Sequence, residues 1–245
     1  MKKILILFGV LISLVAVRSV LAQTAEGTIS YDVKINLHRR LPPDRQEMKA
    51  SIPEFRTTKE QLIFNGNESL YKPIIEDEEE ESFGGGGVQM RFRQPNTERY
   101  LDQATGKVIS KQELMGKDYL IADSVKLAPW KLGSETKTIQ GYECKQAYYT
   151  DESNPNAKQE ITVWYTDKIR PFLGPDRFNT LPGAVLAVDI NNAERVIVAS
   201  KIEMRPLKKN ELKIPSKGIK TTPQEFRKLM DEQMRNSGGG IMIRN

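Results

Sequence analysis

Residues 27–38 read GTISYDVKINLH, and Ile29, Tyr31, Val33, Ile35 and Leu37 alternate with polar residues. Successive side chains of a strand point to opposite faces, so a period of two specifies a half-buried strand. This constrains the chain more than any other feature. A strand with one apolar face must pair its backbone groups at its edges and have that face covered. His38 falls on the polar phase and reads as a solvent-facing side chain at the strand end. Similar text follows further on. Ile161, Val163 and Tyr165 alternate with Thr162, Trp164 and Thr166, and 184–190 is a nearly continuous apolar run before Asn191-Asn192. Val196, Val198, Ser200 and Ile202 continue beyond it, so 184–204 reads as a hairpin.

Shorter pieces fill the space between. Leu62, Ile63 and Phe64 precede Asn65-Gly66, and Leu70, Tyr71, Ile74 and Ile75 follow it, which is a strong hairpin signal. Tyr100-Leu101, Val108-Ile109 and Tyr119-Leu120-Ile121 are further strand-like pieces, with a turn at 102–106 ending in Gly. Residues 41–55 hold three prolines and read as an irregular connection. The fold expected is mainly β: a single domain on a curved antiparallel sheet, bending toward a half-barrel, with a short C-terminal helix. That helix is announced by Thr222-Pro223-Gln224-Glu225, a capping box with proline at the first helical position, and runs over 222–235.

The ends and one interior segment differ from the strand-forming text. Lys2 and Lys3 precede the apolar run 4–17, 14 residues long, which is shorter than the roughly 20 a membrane span needs. Val20-Leu21-Ala22 suits cleavage before Gln23, so 1–22 reads as a signal peptide, with no transmembrane segment after its removal. The β-rich domain is expected over 23–207. Six consecutive acids from Glu76 and four glycines from Gly84 interrupt it, and 76–87 reads as a mobile, solvated insertion. Residues 208–245 form a basic tail that carries the helix, and Gly238-Gly239-Gly240 loosens its end.

Charge and residue counts exclude whole classes of function. The 37 Lys and Arg exceed the 32 Asp and Glu by five, but three of the bases lie in 1–22, leaving 34 against 32. That near-neutral balance gives no footprint for nucleic acid. One Cys rules out an intramolecular disulfide, and one His rules out a His-cluster zinc site. His38 is far in sequence from Cys144, and no nucleophile elbow, zinc-protease helix motif, phosphate loop or dinucleotide fingerprint occurs. No catalytic or metal-ligating residue is assigned and no cofactor is implied. A carboxylate pair is spatial and cannot be picked out among 32 acids.

One resemblance can be traced through the second half. Trp130-Lys131-Leu132, then Ile139-Gln140-Gly141-Tyr142-Glu143-Cys144, then Val163-Trp164-Tyr165-Thr166, then 174–186 ending Thr180-Leu181-Pro182-Gly183-Ala184-Val185 occur in order. Together they resemble the GLPGLI family of exported Bacteroidetes proteins, with Thr180, Ala184 and Val185 departing from the namesake run. The arrangement is also similar, at the level of fold, to β-rich periplasmic domains related to lipoprotein carriers. The resemblance implies an exported envelope protein and brings no activity with it.

On this reading Trp130, Tyr142, Trp164, Tyr165, Phe178, Leu181, Pro182 and Gly183 are candidate binding residues, with core packing as their competing role. Gly141 and Gly183 are expected to supply backbone conformations closed to other residues, and Cys144 to be a small buried hydrophobe. The expected function is that of an exported, non-enzymatic protein that binds an envelope protein or an apolar ligand; the alternative is an envelope hydrolase using a carboxylate pair. Periplasmic, outer-membrane-associated and secreted locations all remain open. Export predicts a mature chain that begins at Gln23. Intact-mass spectrometry of the protein from its source reads this directly, and a cytosolic species retaining Met1 contradicts it.

Overall fold

The computed structural model describes residues 26–41, 43–75, 81–83, 90–92, 96–153 and 158–236. The segment read as a signal peptide, the glycine-containing end after 236 and all of the 76–87 insertion but 81–83 lie outside the described residues.

Twelve strands form one curved, unclosed sheet. β1 (Gly27–Asn36) carries the alternating row, and Ile29, Tyr31, Val33 and Ile35 are buried. It is followed by β2 (Phe55–Phe64) and β3 (Glu68–Pro73), then by β4 (Glu81–Phe83) and β5 (Met90–Phe92), a separate two-stranded ribbon. β6 (Glu98–Asp102), β7 (Lys107–Leu114) and β8 (Lys117–Ser124) complete one wing. β9 (Lys131–Ile139), β10 (Tyr142–Asp151), β11 (Gln159–Thr166), β12 (Ala184–Ile190) and β13 (Arg195–Met204) make the other. The spatial order is β14-β8-β7-β6-β3-β2-β1-β13-β12-β11-β10-β9, where β14 is Ile219–Thr221. β1 is thus central, flanked by β2 and β13. Among the described residues the strands pair antiparallel except β14 with β8, and an isolated parallel bridge joins Leu173 to Ala184. Register shifts at Ser30/Tyr31, Lys145/Ala147 and Trp164/Tyr165 add local bend, as bulges do.

The turns follow their local chemistry. At the β2–β3 hairpin, Asn65 Oδ1 accepts hydrogen bonds from the backbone N–H groups of Asn67 and Glu68 at 3.1 and 2.8 Å. The β9–β10 turn places both Gln140 and Gly141 at positive φ, 48° and 80°, which is why glycine sits there. Gly183 has a different reason from the one expected: its φ is ordinary, but a Cβ there would lie 2.1 Å from the Thr166 carbonyl oxygen. Close backbone approach, not conformation, excludes a side chain. His38 also departs from expectation. β1 stops at Asn36, and His38 lies half-buried in a 3-10 turn where Nε2 donates to the Ile52 carbonyl at 3.0 Å. The helix α1 (Pro223–Asn236) begins as expected. The Thr222 hydroxyl accepts from the Glu225 N–H at 3.2 Å, and the Glu225 carboxylate accepts from the Thr222 N–H at 2.9 Å. Phe226 then packs its ring 5.4 Å from that of Tyr119 on β8.

One connection, 167–183, is buried rather than draped over the surface. Leu173, Phe178 and Leu181 are at most 2 % exposed and belong to the same apolar cluster as Tyr31, Leu62 and Phe64. Tyr31 Oη donates to the Val185 carbonyl at 2.8 Å just beyond it. Arg170 ties the start of this segment to the other wing. Its guanidinium donates to the Glu68 carbonyl at 3.0 Å and to Gln103 Oε1 at 2.6 Å, and burial pulls its pKa down to about 10.

Phe178→Ala removes a fully buried ring and leaves a cavity at this junction, so we expect a loss of about 3–5 kcal/mol. Leu127→Ala, at a side chain that is 78 % exposed, should stay within about 0.5 kcal/mol of the parent. Urea titrations of the two variants make the comparison.

Candidate functional site

Glu60 occupies a core-phase position of β2, two residues before buried Leu62 and directly across from Tyr31 on β1. Tyr71 of β3 pairs with Leu62, and its ring meets Tyr31 edge-on at 6.1 Å. Arg195 starts β13 opposite Ile35 and is 6 % exposed. Asp176 comes down from the 167–183 connection, held at φ 51°, a left-handed conformation that Asp tolerates better than most residues. Two acids, a phenol and a guanidinium therefore act on one another along the inner side of the sheet.

The electrostatics follow from burial. Loss of water raises the Glu60 pKa, and the nearby Asp176 charge raises it further, while the Tyr71 hydroxyl and the Arg195 charge oppose the shift. Tyr71 is held well above the usual phenol range by burial first and by Glu60 second, so its hydroxyl keeps its proton. The Tyr71 hydroxyl lies close enough to bias the Glu60 proton but outside normal hydrogen-bond geometry. Glu60 Oε2, Tyr71 Oη and Arg195 Nε are all buried without a hydrogen-bond partner. Three such atoms of mutually complementary chemistry in one neighbourhood are unusual in a core, where buried polar groups are nearly always paired.

Asp176 also faces a second group. Its charge helps burial raise the Tyr149 hydroxyl, whereas Arg177 opposes the shift. Arg177 pairs with Asp151 at 3.0 Å and donates to Gln159 Oε1 at 2.8 Å. Burial disfavours the charge on Asp151, but hydrogen bonds from Ser153 and the Arg177 charge outweigh it and hold its carboxyl below the usual range. The Trp130 ring meets Tyr149 edge-on at 4.6 Å and is fixed by its Nε1–H donating to Thr180 Oγ1 at 2.9 Å.

Residues 87–224 match the family described as N-glycanase peptide, N-terminal domain, over more than half of the 245 residues. The chain belongs to the PNGase F-II N-terminal domain family. Two crystal structures of PNGF-II, in space groups P21 and C2, share its fold. They superpose with TM-scores of 0.56 and 0.55 at 16% and 17% identity, over 86% of this chain in each case. They are much longer, and this chain spans about a third of their length, 34% and 33%. No curated protein matches it.

Membership in the PNGase F-II N-terminal domain family overturns the expectation of a non-enzymatic binder of an envelope protein or apolar ligand, because the family is described as the N-terminal domain of an N-glycanase. The physical reason the sequence misled is that its acids pair only in space. Glu60 and Asp176 are 116 positions apart in the chain. A faint trace of Glu60 was there to read: Thr58, Glu60, Leu62 and Phe64 share one phase of β2, so the acid sits where an apolar residue belongs. Tyr71, Asp176 and Arg195 left no such trace.

The residues singled out in the sequence are divided by this PNGase F-II-like fold. Tyr165, Phe178, Leu181 and Gly183 are buried, Pro182 is exposed, and Trp130, Tyr142 and Trp164 are half-buried. Trp130 and Phe178 join the groups around Asp176, the first through Tyr149 and the second beneath the Arg177 guanidinium, 5.4 Å from its ring. Trp164 instead carries the Lys137 ammonium 4.2 Å above its ring. Cys144 is buried and its thiol is pushed up to about 11 by burial, so it is no thiolate nucleophile at neutral pH. Among the described residues no cluster of three or more His, Cys, Asp or Glu side chains could hold a metal ion.

Glu60 binds its proton more tightly folded than unfolded. Its contribution to stability is therefore full below the ordinary carboxylate range and is lost as pH rises through the raised folded value. Glu60→Gln, a neutral replacement of the same shape, should be more stable than the parent at neutral pH and should match it near pH 4. Denaturation midpoints measured across that interval test this; a constant offset at every pH would mean Glu60 is not the titrating group.

Proposed function

We propose that this chain acts in the hydrolysis of N-linked glycans, as an exported hydrolase whose acid pair is Glu60 and Asp176. The observation that carries the reading is the half-buried Glu60 carboxyl, driven toward its protonated form beside a second carboxylate beneath the 167–183 connection. Hydrolysis of a glycan linkage needs one group to deliver a proton to the leaving atom and another to take one from the attacking water. Glu60 suits the first role because burial raises its pKa above that of an exposed acid, so it holds its proton to higher pH. Asp176, half-buried and carried on the connection rather than in the sheet, suits the second. Tyr71, still protonated, lies behind Glu60 and restrains its carboxyl, and Arg195 balances the negative charge of the pair.

Family membership in an N-glycanase group supports the choice of substrate, and the leader-like residues 1–22 support export to the periplasm, the outer membrane or the medium. The GLPGLI-like run contains Asp176 itself, so on this proposal the segment that resembles that family is the one that completes the acid pair. Since the matched structures are about three times longer, the proposal concerns a site carried by this chain alone.

The test is glycan release from an N-glycosylated peptide by the purified chain, followed by mass spectrometry. Release should fall by about 100-fold or more in Glu60→Gln and in Asp176→Asn, the usual scale for losing a general acid or base. A folded parent that releases no glycan, or variants as active as the parent, would refute it.

A further inference from the structure

Beside the acid pair lies a group of side chains that hydrolysis does not use. Trp130 and Tyr149 stand edge to face with centroids 4.6 Å apart, and both are only partly buried against the core. The Trp130 ring is locked by its bond to Thr180, so its orientation is set before any ligand arrives. Around the rings are a carboxylate, an amide and a guanidinium, Asp151, Gln159 and Arg177, already joined to one another. Asp151 is 16% exposed at its side chain and Arg177 is 41% exposed, so the polar rim opens to solvent on one side. Arg177 directly follows Asp176 in the chain and pairs with Asp151 and Gln159, which brings the polar rim up to the acid pair.

We infer that Trp130, Tyr149, Asp151, Gln159 and Arg177 form a subsite for a sugar ring next to the acid pair. A pyranose has an apolar face of C–H groups and a rim of hydroxyls, each both donor and acceptor. Its apolar face needs a rigid aromatic surface, and its rim needs planar acceptors and donors held in fixed positions. Asp151 accepts, Arg177 donates and Gln159 does both. An unglycosylated peptide has no equivalent face and would gain little here. A free anion is disfavoured by Asp151 and Asp176. The subsite rests on the hydrolytic reading for its meaning, since it holds the glycan beside Glu60, but binding does not require that Glu60 react.

The experiment titrates the intact chain with an N-glycosylated peptide and with the same peptide lacking its sugar, using tryptophan fluorescence and calorimetry. The glycopeptide should bind and the bare peptide should bind at least about tenfold more weakly, a difference of ~1.4 kcal/mol. Trp130→Ala and Tyr149→Ala should each weaken glycopeptide binding by about tenfold or more. Arg177→Ala gives a second route that leaves the Trp130–Tyr149 pair in place, and melting curves confirm that every variant is folded. Glu60→Gln should bind like the parent while losing hydrolysis. If folded Trp130, Tyr149 and Arg177 variants bind as the parent does, or if both peptides bind equally, the subsite is overturned. Glycan binding that depends on these residues in a chain that hydrolyses nothing would instead sustain the subsite and overturn the acid pair.

Discussion

The structure depends on the docking of residues 167–183 into the sheet. The sheet has one long apolar side, and this connection supplies Leu173, Phe178 and Leu181 to it as if they were core residues of a strand. The docking is tight at the level of the backbone. A Cβ on Gly174 would lie 1.9 Å from the Phe178 carbonyl oxygen, and one on Gly183 would lie 2.1 Å from that of Thr166. Two chain segments meeting without side chains between them can be positioned more sharply than a loop held by surface contacts. Asp176 sits between those two contacts, so its backbone is held in place from both sides.

That placement explains why ionisable groups persist in an otherwise apolar neighbourhood. Burying Glu60, Tyr71 and Arg195 costs stability unless each finds a partner, and three of their atoms find none. A core selected for stability alone would have filled those positions with apolar side chains, as at Leu62 and Phe64 on the same strand face. Strain of this kind concentrates where function is exercised. Around the rim the chemistry is different. Arg177, Asp151 and Gln159 are mutually satisfied and exposed enough to exchange their bonds for those of a ligand.

Much of the architecture was legible because it rests on local rules. The alternation from Ile29 predicts a strand, Asn65-Gly66 a hairpin and Thr222 to Glu225 a helix start, and each is present, with the first strand ending at Asn36, just short of Leu37. For Phe178 and Leu181 the structure takes the competing role, core packing, which their large apolar side chains allowed. The site was not legible. Its four groups come from β2, β3, β13 and the 167–183 connection, and no local pattern links positions 60, 71, 176 and 195. His38 misled for a similar reason: its hydrogen-bond partner, Ile52, belongs to the irregular 41–55 stretch, whose path the sequence does not dictate. Gly183 was recognised as a special position, yet the reason lay in a neighbour, Thr166, that only the folded chain brings near.

The order of the strands also decides when this chain can fold. β1 is made almost first, and its two neighbours are β2 and β13, one adjacent in sequence and the other nearly at the far end of the domain. Closing the β1–β13 contact means joining Gly27 with Met204, so the central seam forms only after nearly all of the chain exists. Pairing over such separation is slow, and until it happens the row of Ile29, Tyr31 and Val33 is half open to other chains. A protein built this way suits passage through a membrane as an unfolded thread, because its first strand cannot close prematurely on the near side. It also leaves one edge of β1 without its final partner during the interval between the emergence of β1 and the arrival of β13.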